Sequence, residues 1–116
     1  AFATGFRTVA LMRENQRATQ ILIEATEIIR LYSWDQLNTP GFVPATFTER
    51  YDPHGQKGVV YRGSVIVTNA PADLPASYQS KMRQVIVTLD WTTAGIPRHR
   101  ELTTLIAKDG LQNYVY

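Results

Sequence analysis

The two histidines are the natural place to look for chemistry, because an imidazole titrates near neutrality and also ligates metals. His54 follows Asp52 and Pro53 and precedes Gly55; His99 sits between Arg98 and Arg100. Neither has the company that catalysis needs. Asp52 and His54 offer two ligands without a third, and Asp52, Asp73 and Asp109 are scattered over loop-like stretches instead of converging as calcium demands. Glu24 and Glu27 look like a paired carboxylate, but three residues apart on a helix they read as a solvated face. Ser33, Ser64, Ser77 and Ser80 lie in no nucleophile elbow, and no glycine-rich phosphate loop occurs. The absence of cysteine removes thiol catalysis, thiolate metal sites and disulfides together. The residues therefore predict a protein that is not an enzyme and carries no cofactor and no metal.

The elements that carry these residues follow from composition and pattern. With 116 residues and 44% hydrophobic content the chain is long enough for one core and too short for two. A net charge of +2 is too small to demand nucleic acid. No apolar run reaches the roughly 20 residues that a bilayer requires.

Taking Ala25 as the centre of a helical face, Ala18, Ile21, Leu22, Ile28, Ile29 and Tyr32 all fall within about 60° of it. These seven residues are the predicted helix–sheet core. Glu24, Glu27 and Arg30 lie on the other side, with Glu27 and Arg30 at a supportive spacing. Extended upstream, the same stripe meets Leu11, Glu14 and Arg7, so the helix is expected to leave its own core above about Ala18. No capping signal marks a start near Ala1, as though the chain begins mid-helix. Ile23, Leu31 and Trp34 form a second apolar set, expected to be covered by the following loop. Pro40 and Gly41 end the helix, giving a helical segment 1–37. Residues 38–58 hold three prolines and three glycines yet also Phe42, Val43 and Phe47, which predicts an apolar loop pinned to the domain.

Strands follow. In 59–68, Tyr61, Val65 and Val67 share a face across Gly63; in 83–93, Val85, Val87, Leu89 and Trp91 alternate with Ile86, Thr88, Asp90 and Thr92. A turn at 94–97 returns the chain as a hairpin partner over 98–108, and the aromatic tail 109–116 should dock. The expected fold is α+β: one long N-terminal helix packed on a small antiparallel sheet of about three strands.

That order resembles the type IV pilin-like family, of type IV pilins, minor pilins and type II secretion pseudopilins. The resemblance is carried by "RENQRATQILIEATEIIRLYSWDQLN" and by "VIVTLDWTTAGIPRHRELTTLIAKDGLQNYVY", and covers most of the chain. It implies the soluble part of a protein with a prepilin-type N-terminal cleavage and methylation segment, whose membrane half lies upstream of Ala1. It further implies a filament subunit that waits in the bacterial inner membrane or periplasm and ends in a cell-surface or periplasmic filament. Its partners would be other pilin or pseudopilin subunits. Phe2, Phe6, Arg7, Val9, Arg13 and Glu14 are then the candidate subunit contacts. On this division Ile28→Asp should unfold the domain, and Glu14→Arg should spare folding. Two alternatives stand beside it. One is a stand-alone envelope binding or adhesion module with a pocket near Phe42 and Phe47. The other is a DNA-binding minor pilin using Arg98, His99 and Arg100 with Lys81, Arg83 and Lys108.

Overall fold

In the computed structural model the backbone is described for residues 2–52, 54–55, 57–93 and 95–108, and the side chains from Leu11 onward except Lys57. The docking expected of the tail 109–116 lies outside the described residues. The first helix, α1, runs Phe2–Arg30. At 1.5 Å per residue its length is about 43 Å.

The helix does not continue to residue 37. It stops at Arg30, and a short second helix, α2 (Trp34–Asn38), starts afresh. The restart is written in Ser33-Trp34-Asp35-Gln36, a capping box. The Ser33 hydroxyl accepts from the Gln36 backbone N–H at 3.1 Å, and the Gln36 side chain accepts from the Ser33 N–H at 2.9 Å. Such a cap competes with continued helix, and here it wins. The restart brings Leu37 into the core and lays Trp34 beneath the Arg83 guanidinium, 5.2 Å from the ring centroid.

The sheet has four antiparallel strands in the order β1-β2-β3-β4, namely Thr46–Asp52, Lys57–Asn69, Met82–Thr93 and Ile96–Ala107. The expectation of about three strands is corrected by β1, which falls inside the segment read as loop. Its alternation of Phe47, Glu49 and Tyr51 toward the helix is short, and the prolines at 40, 44 and 53 flank it without entering it. A single-turn helix, α3 (Ala76–Gln79), sits in the β2–β3 connection.

Tyr61, Val85, Val87 and Leu89 have no exposed surface and, with Trp91, form the middle of the core beneath α1. The inward faces expected of β2 and β3 are the ones observed. Gly63 allows a close approach: an added Cβ would lie 2.2 Å from the ring of Phe47, its partner across β1 and β2. The β3–β4 turn is tighter than expected. Thr93 pairs with Ile96, and Gly95 takes a φ of 80°, a conformation that favours glycine.

Candidate functional site

The site of interest is where α1 meets the sheet and then leaves it. Arg30 donates to the Thr104 hydroxyl at 2.7 Å at one end, and Arg100 donates to the Thr19 hydroxyl at 2.7 Å in the middle. At the other end the Thr93 hydroxyl donates to the Glu14 carboxylate at 2.7 Å, while the buried Tyr61 hydroxyl donates to the Glu14 backbone carbonyl at 2.8 Å. These contacts order the chain: α1 runs antiparallel to β3 and parallel to β4, and Glu14 lies beside the end of β3. Burial pushes the Tyr61 phenol well above its usual range, and the nearby Glu14 carboxylate adds to the shift.

Glu14 therefore corrects the expectation that it stands clear for subunit contacts. The signal was present: residues 14, 18, 21 and 25 keep the spacing of one buried stripe. A carboxylate in that stripe is tolerated because a hydroxyl at the strand end satisfies it. The nearest neighbours above it frame an exit. Tyr51, Asp52 and His54 of the β1–β2 hairpin face Arg13, Gln16 and Arg17 across a cleft of about 490 Å³. Arg17 lies 3.9 Å from Glu49. Two hairpin ends thus flank the helix at Arg13 and Glu14, and its turns from Phe2 to Arg13 run on for about 18 Å.

Of the predicted core, Ala18, Ile21, Leu22 and Ile29 are buried, and Ala25 packs against them half-buried. Tyr32 is half-buried and meets Phe42 edge-on, with ring centroids 5.4 Å apart, so the loop is pinned where expected. Ile28 is the second correction. It is 54% exposed, because it sits at the rim of the stripe beyond the edge strand β1. Ile23 and Leu31 are also exposed, so the loop does not cover that set, and Trp34 is covered by Arg83 instead. Glu27 makes no ion pair with Arg30 among the described residues, since Arg30 reaches Thr104. Arg13 is exposed. Phe2, Phe6, Arg7 and Val9 lie on helical backbone, and their side chains are outside the described residues.

The exposure of Ile28 opens a groove. Ile21, Ala25, Ile28, Ile29 and Tyr32 form one wall, Val43, Pro44 and Phe47 the other, and Glu24, Glu49 and Val65 complete the lining of about 250 Å³.

The basic residues weighed for DNA are not brought together. Arg100 is tied to α1, and Arg83 donates to the Asn38 side chain at 2.8 Å. Lys108 and Lys81 meet at the opposite end of the β3–β4 ladder from His99. On the outer sheet face His99 is held by its cross-strand partner Asp90 at 2.7 Å, with Glu101 3.6 Å from its other nitrogen. The hydrogen bond to Asp90 raises the imidazole pKa above its ordinary value, with Glu101 adding to it. Asp52 accepts the Gly55 N–H at 3.0 Å, capping its own turn. No group of three or more metal-ligating side chains occurs among the described residues, and no helix among them is long and apolar enough to cross a membrane.

No family model, curated protein or solved structure matches the chain.

Proposed function

We propose that the protein is a structural subunit of a type IV pilus-like or secretion-pseudopilus filament, assembling through its N-terminal helix. The observation that carries this reading is the offset of helix and sheet. The sheet grips α1 from Glu14 to Arg30, and the same helix continues upward past both hairpin ends. At about 100° per residue, positions 2, 6 and 9 fall roughly 150° from the stripe of Ala18 to Ile29. On this reading those positions of the protruding helix, which hold Phe2, Phe6 and Val9, supply the contacts to other subunits, and contact between unlike surfaces builds open filaments. Partners on this reading are further pilin or pseudopilin subunits. The protein waits in the bacterial inner membrane or periplasm and ends in a periplasmic or surface filament.

Immunogold microscopy on the native protein in its own cells tests the proposal. Labelled filaments that shear off and pellet are expected. Protein that stays entirely monomeric in the soluble fraction would overturn it.

A second reading, a stand-alone binding or adhesion module, draws support from the groove beside Phe47.

A further inference from the structure

We infer that the cleft between α1 and the β1–β2 hairpin binds a sugar acid, a pyranose carrying one carboxylate. The site shares no lining residue with the groove beside Phe47 and does not depend on filament assembly.

The cationic side comes from the helix. Arg13, Gln16, Arg17 and Gln20 follow at spacings of three, one and three residues, which puts all four on one face of α1 over about 10 Å. Arg17 is the anchor. Its side chain is 16% exposed, its Nε is buried, and its guanidinium makes no hydrogen bond among the described residues. Glu49 stands 3.9 Å off, too far for one, and lines the groove by Phe47 instead. A largely buried guanidinium without acceptors is costly, and an oxyanion in the cleft supplies them through two parallel bonds. Arg13, one turn above, has no ion pair among the described residues either.

Charge and composition narrow the ligand. Among the described residues Asp52 is the one carboxylate of the lining, and it pairs with neither arginine; it accepts the Gly55 N–H at 3.0 Å. With His54 counted neutral, two guanidiniums against one carboxylate leave a single positive charge. That matches a carboxylate better than a phosphate monoester, which carries about −1.5 to −2. Gln16 and Gln20 each offer a carbonyl and an NH₂, and Asp52 has a second oxygen. Such a set suits hydroxyl groups, which both give and take hydrogen bonds. Tyr51 adds a flat apolar face for the C–H side of a sugar ring. The volume, about 490 Å³, lies in the range of small-molecule sites.

Titrating the full chain with glucuronate, followed by NMR at the side-chain amides of Gln16 and Gln20, tests the inference. Both amides should shift and saturate together. Glucose and acetate, each carrying half of the chemistry, should bind at least about tenfold more weakly. Arg17→Gln and Arg13→Gln should each weaken glucuronate about tenfold, the scale of one charge-assisted hydrogen bond. Arg13 is exposed, so its variant keeps the fold and decides the matter should Arg17→Gln unfold. Amides unmoved by glucuronate, or affinity unchanged in the folded arginine variants, would overturn the site. Acetate binding as tightly as glucuronate would overturn the sugar, and glucose 6-phosphate binding more tightly would overturn the carboxylate.

Discussion

At the scale of single residues, Glu14 and Ile28 exchange the roles that their chemistry suggests. The carboxylate is held at the end of β3 by Thr93, and the aliphatic side chain stands at the rim in solvent. Glu14→Arg should therefore destabilise the domain by about 1–3 kcal/mol, since it leaves the Thr93 hydroxyl without its acceptor and puts a cation beside Arg17. Ile28→Asp should leave the fold in place and cost well under that. Urea denaturation of the two variants checks the order, and a reversal would restore the division expected from the helical stripe alone. His99 gives a pH-dependent case. Its pKa is raised in the folded state by Asp90 and Glu101, so its contribution to stability is complete below about pH 6.5, the value for a free imidazole. That contribution disappears as pH rises through the folded value. His99→Gln should thus lower the melting temperature at about pH 5.5 and leave it unchanged at about pH 9. An equal loss at both would assign the effect to packing.

At the scale of elements, Gly63 and Phe47 lock β1 onto β2. Gly63→Val should push the ring out and cost about 1–3 kcal/mol, read as a lower urea midpoint with an unchanged slope. What was legible in the sequence was what repeats. The α1 stripe carries four buried residues at helical spacing, and β3 alternates over its buried Val85, Val87, Leu89 and Trp91. What was hidden depended on competition or on distance in the chain. The break at Leu31 to Ser33 is decided by a capping box against a helix that could have continued. The strand β1 offers too few alternations to stand out among prolines, and it exists because Gly63 in β2 gives Phe47 somewhere to lie. The tie from Glu14 to Thr93 joins residues 79 apart and has no local signature. The exposure of Ile28 follows from where the sheet ends, which no periodicity within the helix can report.

At the scale of the whole molecule, the dimensions are 57 × 26 × 22 Å. The long one exceeds the roughly 40 Å of a twelve-residue strand, in keeping with the offset of α1 on its sheet. A fragment beginning at Leu11 should then melt within about 2 °C of the longer chain, because the removed turns lie above the grip at Glu14. A fall of more than about 5 °C in a thermal scan would mean that those turns pack on the domain after all.

The alignment of α1 along the strands has a mechanical consequence. A tug on the upper end of the helix acts along its axis, parallel to β3 and β4, so the ties at Glu14, Thr19 and Arg30 are loaded together in shear. They must all slide at once instead of peeling one after another. A domain hung this way resists traction best in the direction from which its own helix would be pulled.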